Sequence, residues 1–124
     1  MAKAVKATGI NSSLLISVVS AVYNAEPWLE AYVREMHAFL SARFKDFEIV
    51  IVDNASTDGT VAVIERLQEE LPNIQLYCLM RHLNQESAFV VGLEQAIGDA
   101  VVTIDANYDP PKAVDELLER YYQD

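Results

Sequence analysis

The order of its hydrophobic periods constrains this chain more than any other feature. Four short runs rich in β-branched residues, Leu14 to Val19, Phe47 to Val52, Ile74 to Leu79 and Ala100 to Ile104, alternate with longer stretches of helical period. Asn, Asp, Gly or Pro marks each switch. After the first run, Pro27 suits the first turn of a helix whose stripe is Leu29, Tyr32, Val33, Met36 and Leu40. After the second, Ser56 or Thr57 can cap a helix carrying Val61, Ile64, Leu67 and Leu71, which Pro72 stops. A third helix is expected over Glu86 to Ile97, ended by Gly98, and a fourth after Pro110 and Pro111, carrying Val114, Leu117, Leu118 and Tyr121. This βαβαβαβα order predicts an α/β fold: an open, doubly wound, mostly parallel sheet of four strands, Rossmann-like in plan.

With 124 residues and no Gly/Ser linker, repeat or low-complexity tract, the chain makes one domain, 1–124. A hydrophobic content of 52% is enough for a core. The net charge of −10 argues against nucleic acid or an anionic lipid surface as partner. An anionic ligand would need backbone N–H groups, a placed Arg or a divalent metal. Cys78 is the single cysteine, so no internal disulfide or thiolate cluster can form; its place in a strand predicts burial. Lys3 and Lys6 ahead of Leu14 to Val22 resemble a short signal peptide. Ser17 and Ser20 interrupt that stretch, however, and Tyr23 and Asn24 stand where a cleavage site wants small residues, so a buried strand is the better reading. No run reaches the ~18 to 20 apolar residues of a membrane-spanning helix, and a cytoplasmic location is expected.

Open parallel sheets bind ligands outside the carboxyl ends of their strands, which singles out Ala21 to Glu26, Asp53 to Thr60, Arg81 to Glu86 and Asp105 to Asp109. Asp53 can accept from a base N–H or a ribose hydroxyl, while Ser56, Thr57 and Asp58 also serve as caps and Gly59 eases the turn. Asp105, Asn107 and Asp109 place oxygen donors at i, i+2 and i+4, a set suited to Mg²⁺ or Mn²⁺; the same residues also fit a plain Asx-rich turn. Glu116 falls at the twelfth position of an EF-hand-like spacing, but Pro110 occupies the place of the turn glycine and a strand precedes it, so that alternative fails. Tyr23 can stack on a base or pack the rim, and Arg81 can pair with a phosphate or with a surface carboxylate. His37 reads as a packed helix residue.

Four segments in order carry a family resemblance. The chain reads AVYNAE after the first strand, where one family has xxYNE, and VDNASTDGT after the second, where it has VDDGSxDGT. It continues RHLNQESAFVVGLEQAIGDAVVTIDANYDPP against RNxGxxxAxxxGLxxAxGDxV and DADxQxPP. Over about Leu15 to Tyr121 the chain thus resembles the N-terminal, donor-binding half of family 2 nucleotide-sugar glycosyltransferases of GT-A fold, in the style of polyprenyl-phosphate (dolichol-phosphate mannose synthase-like) sugar transferases.

The resemblance implies that Tyr23 and Asp53 bind the nucleotide base with Glu26 nearby, that Arg81 lies near base or diphosphate, and that Asp105 contacts ribose or metal. Asn107 and Asp109 would complete the site for a divalent metal (Mg or Mn), with a nucleotide-diphosphate sugar as donor and a polyprenyl phosphate or cell-surface glycan as acceptor. Asn107 stands for a carboxylate, Asp109 for a Gln, His82 for Asn, and Asn84 and Gln85 for Gly and Lys. The acceptor half and general base of such an enzyme are absent from the sequence, so catalysis itself has no assigned residue. A non-catalytic nucleotide-binding or assembly module is the second reading. A receiver-like phosphoacceptor domain fits less well, since no acidic pair follows the first strand. Ala100 to Ile104 would form an apolar sheet edge, predicting a homo-oligomer or a partner that supplies the acceptor half, at the inner face of a membrane if that partner is anchored there.

Overall fold

The computed structural model describes residues 3–6, as backbone, and residues 14–122. Five strands and four helices follow in the order β1 (Lys3–Lys6), β2 (Leu15–Val22), α1 (Leu29–Arg43), β3 (Asp46–Asp53), α2 (Thr60–Glu70), β4 (Ile74–Cys78), α3 (Gln85–Gln95), β5 (Ala100–Thr103) and α4 (Ala113–Tyr122). The sheet order is β1-β5-β2-β3-β4. The four expected strands are present and mutually parallel, with Val18 opposite Ile49 and Val102, and Ile51 opposite Leu76.

The side-chain period of two divides the core. Ile16, Val18 and Val22 of β2 and Ile49 and Ile51 of β3 face a layer built from Leu29, Val33, Met36 and Leu40 of α1, Ile64 and Leu67 of α2, and Val114 and Leu118 of α4. The alternate residues Val19, Ala21, Val50 and Val52 meet Ala88, Phe89 and Leu93 of α3 on the opposite face. Helices on both faces make the sheet doubly wound, as expected. Gly92 lets α3 lie close to it. A Cβ there would come within 2.5 Å of Val19 Cγ1 and 3.1 Å of Val52 Cγ2.

Glu48 interrupts an otherwise apolar strand and is nevertheless buried. Its Oε2 accepts from the Ser17 hydroxyl (2.6 Å) and the Ile97 N–H (2.9 Å), and Ser17 Oγ accepts from the Gly98 N–H (2.9 Å). This network fastens the α3–β5 connection to the amino end of the sheet. A side chain on Gly98 would approach Leu15 O at 2.9 Å and Ser17 N at 2.8 Å, so this glycine serves close backbone contact rather than stopping α3, which already ends at Gln95.

Two expectations change. Ala100–Ile104 is not an edge, because Lys3–Lys6 pairs antiparallel with β5, with Lys3 opposite Thr103 and Ala4 opposite Val102. The sheet therefore ends at β1 and β4, and the case for association through β5 falls. Cys78 is exposed, because it closes the edge strand β4. Partial desolvation, with the Asp53 carboxylate nearby, still holds its thiol above the usual range, so it is not activated as a nucleophile. His37 is packed as expected, its ring edge-on to Phe47 and its Nε2 3.0 Å from the Pro72 carbonyl oxygen. Among the described residues no helix is long and apolar enough to cross a membrane.

Gly92→Ala should lower stability by about 1–3 kcal/mol in urea unfolding, since the added methyl meets two packed valines. Removing residues 1–6 uncovers an apolar strand. Light scattering should then report concentration-dependent association greater than that of the full chain.

Candidate functional site

The sheet changes direction at β2: β3 lies on one side and β5 on the other, so the loops after these strands frame a crevice at their carboxyl ends. Asp53 lies opposite Val22, and the Ile104 N–H reaches the Val19 carbonyl, placing Asp105 near the end of β2. The Gln85 side chain, at the start of α3, donates to the Ala21 carbonyl at 3.3 Å. Between α3 and β5 runs an open cleft of about 490 Å³, with Gln85, Phe89, Leu93, Thr103 and Asp105 among its lining.

The loops after β2 and β3 are locked together. Asn24 takes a left-handed conformation (φ 48°), and its Oδ1 accepts from the N–H groups of Thr57 (2.8 Å) and Asp58 (3.3 Å). Its own N–H donates to Ser56 Oγ at 2.9 Å, and the Ala25 N–H donates to Thr60 Oγ1 at 2.8 Å. Glu26 Oε1 accepts from the Gly59 N–H at 2.8 Å. The donors at the start of α2 are thus met from the neighbouring loop, and Asp58 Oδ1 takes the Thr60 N–H at 3.0 Å. The expected caps Ser56 and Thr57 instead serve this lock, because α2 begins only at Thr60. Bonding to Thr60 draws the Asp58 carboxyl below its usual range.

Asp53 is buried, 2% exposed, and both its oxygens are engaged by Ser56: the hydroxyl reaches Oδ1 at 2.6 Å and the N–H reaches Oδ2 at 3.1 Å. The neighbouring Asn54, also buried, joins this loop to the one after β4. Its Oδ1 accepts from the Leu83 N–H and its Nδ2 donates to the Leu83 carbonyl, both at 2.8 Å. His82 Nδ1 lies 3.0 Å from the Asn54 carbonyl oxygen, and the His82 ring meets Tyr23 with centroids 4.4 Å apart at 63°. Tyr23 is 46% exposed at the rim. Arg81 is exposed and makes no ion pair among the described residues, whereas Arg34, Arg43 and Arg66 pair with Glu30, Glu70 or Asp115.

On the β5 side, Asp105 to Asp109 closes on itself. Asp105 Oδ1 accepts from the Asn107 N–H at 3.0 Å and from its Nδ2 at 3.3 Å, and Asp109 Oδ2 accepts from the Asp105 N–H at 3.0 Å. The Tyr32 hydroxyl donates to the Asp109 carbonyl at 2.6 Å and ties the turn to α1. Burial, with Asp109 beside it, raises the Tyr32 phenol well above its usual range, so it stays a donor. Among the described residues no three His, Cys, Asp or Glu side chains gather as a metal site. The turn nonetheless offers two carboxylates and an amide, all oxygen donors, which suits a hard cation such as Mg²⁺ or Mn²⁺.

Of the expected residues, the fold brings Tyr23, Glu26 and Asp53 to interlocked loops, with Glu26 and Asp53 already engaged, and sets Asp105, Asn107 and Asp109 across β2. Sequence reasoning missed Asn24, Asn54 and His82 as the residues that hold these loops. The signal available was that Asn tolerates positive φ and can both donate and accept.

Sequence and fold comparisons bear on the family and the fold. The model of Glycosyl transferase family 2 matches residues 17–124. Undecaprenyl-phosphate 4-deoxy-4-formamido-L-arabinose transferase of Pseudomonas paraeruginosa (strain DSM 24068 / PA7) is 35% identical over 111 residues, 88% of this chain and 33% of the relative. The transferase of the same name from Pectobacterium carotovorum subsp. carotovorum (strain PC1) is 34% identical over 106 residues, 84% of this chain and 32% of its own. The chain spans about a third of the length of these curated relatives. Among solved structures, mannosyltransferase PcManGT from Pyrobaculum calidifontis, in complex with GDP-Man and Mn²⁺, superposes with TM-score 0.71 and 26% identity over 82% of this chain and 30% of that one. S. aureus TarS 1–349 in complex with UDP-GlcNAc gives TM-score 0.68 and 25% identity over 83% of this chain and 30% of its own.

Ala55 lies in the left-handed region (φ 60°), at the place where the family pattern has Gly. Ala55→Gly should therefore raise stability by about 1 kcal/mol in urea unfolding, since relief of backbone strain outweighs the entropy that glycine adds to the unfolded chain.

Proposed function

This chain belongs to glycosyl transferase family 2, with the Rossmann-like half of a GT-A fold, and we propose that it is the donor-binding domain of a transferase that moves a sugar from a nucleotide diphosphate to a polyprenyl phosphate. The observation that carries this reading is the pairing of an exposed aromatic, Tyr23, on one side of the β2 terminus with an acidic turn, Asp105 to Asp109, on the other. The names of the relatives support the lipid-phosphate acceptor, and the ligands of the two solved neighbours support a nucleotide-sugar donor.

In this reading Tyr23 receives the base at the β3 side of the crevice, and Arg81, which has no ion-pair partner among the described residues, faces the diphosphate. Asp105, Asn107 and Asp109 hold a divalent cation, which when bound neutralises charge on the leaving nucleoside diphosphate. Glu26 and Asp53 act by holding the loops in shape, through Gly59 and Ser56. The acceptor phosphate oxygen attacks the sugar C1 as the bond from C1 to the diphosphate oxygen breaks. In this reading the acceptor-binding surface lies outside this chain, which spans about a third of the length of its relatives.

Calorimetry with UDP and GDP tests the reading. Binding is expected to be weak without metal and at least about tenfold tighter with Mn²⁺. Asp105→Asn keeps an oxygen acceptor for the Asn107 N–H, so the fold should survive while the metal enhancement is lost. Asn107→Asp should strengthen direct Mn²⁺ binding by adding a carboxylate to the same turn. No heat with either nucleotide in the presence of Mn²⁺ would sink the proposal. Binding without sugar transfer in the full-length protein would favour the assembly-module reading.

A further inference from the structure

His82 stands where the family pattern has Asn, and its ring is neither buried nor idle. It packs edge-on against Tyr23 and is anchored through Nδ1, 3.0 Å from the Asn54 carbonyl oxygen. A carbonyl oxygen only accepts, so Nδ1 carries the hydrogen. The neutral ring therefore holds its lone pair at Nε2, which has no hydrogen-bond partner among the described residues. The paired bonds between Asn54 and Leu83 fix the backbone that presents this ring.

We propose that His82 is a further donor-binding residue, whose Nε2 accepts a hydrogen bond from the imino N–H of a uracil or guanine base resting on Tyr23. The proposal rests on the donor-binding reading above and deepens it. Asp53, the acceptor that the sequence suggested for this task, is 2% exposed with both oxygens engaged by Ser56. Asn54 Oδ1 is engaged by Leu83. That leaves His82 Nε2 as the exposed acceptor beside Tyr23. It is also a neutral acceptor, so it reads the base without adding negative charge near a diphosphate, in a chain of net charge −10.

The test compares, by calorimetry on the full chain with Mn²⁺, UDP with 3-methyl-UDP and GDP with 1-methyl-GDP, whose imino hydrogen is replaced. The wild type should bind its preferred nucleotide about three- to tenfold more tightly than the methylated analogue, the worth of one hydrogen bond. His82→Phe keeps an aromatic ring against Tyr23 but has no acceptor; with its fold confirmed by circular dichroism, it should bind both forms alike. His82→Asn restores an acceptor and should regain the discrimination. Discrimination by His82→Phe equal to that of the wild type overturns the proposal. If the wild type binds neither nucleotide, the donor-binding reading fails as well; nucleotide binding indifferent to the His82 variants refutes this inference alone.

Discussion

The loops after β2, β3 and β4 at the carboxyl end of this sheet depend on two asparagine side chains that satisfy the backbones of their neighbours. Parallel strands end in connections that must leave the sheet at once, and the backbone groups of those connections are partly shielded from water and need partners. Asn24 supplies an acceptor to the loop after β3, and Asn54 supplies an acceptor and a donor to the loop after β4. An amide is the side chain that matches both backbone groups of Leu83 at once; a carboxylate would set a lone pair against its carbonyl. Three loops from distant parts of the sequence thereby become one surface on which Tyr23, His82 and Asp53 keep fixed relations.

The acidic turn after β5 is held by different means. The bonds described here link Asp105, Asn107 and Asp109 to one another, and the Tyr32 hydroxyl reaches across from α1 to the Asp109 carbonyl. It is thus preformed by the geometry of its own side chains. The described ion pairs lie elsewhere, along α1, α2 and α4, where exposed Arg–carboxylate contacts contribute little individually and chiefly set helix register.

The strand and helix order was legible because period-two and period-3.6 patterns alternate cleanly, and the position of the crevice follows from that order alone. What escaped the sequence has particular causes. Lys3–Lys6 carries no alternation that distinguishes a strand, since its partner lies at the far end of the chain. Glu48 reads as a polar interruption until Ser17 and Ile97 are seen to share its oxygen. Cys78 reads as buried because burial depends on whether a strand is central or at the edge, which composition does not encode. At the site, residue types were readable and their commitments were not. Glu26 and Asp53 look like ligand contacts by position, yet Glu26 Oε1 is engaged by Gly59 and both Asp53 oxygens by Ser56. His82 showed in the sequence only as a departure from the family's Asn, and its interest lies in a tautomer that the Asn54 carbonyl fixes.

The antiparallel pairing of β1 with β5 also orders events in time. Lys3 pairs with Thr103, so β1 has no partner until β5, which lies after β2, β3 and β4 in the sequence, has been made. The β2–β3–β4 ladder, by contrast, pairs strands as they emerge and can begin to form first. Synthesis from the N-terminus therefore builds the half of the crevice bearing Tyr23 and Asp53 early, and the half bearing the acidic turn late. The β1 segment seals the sheet as a closing step, once β5 has docked beside β2.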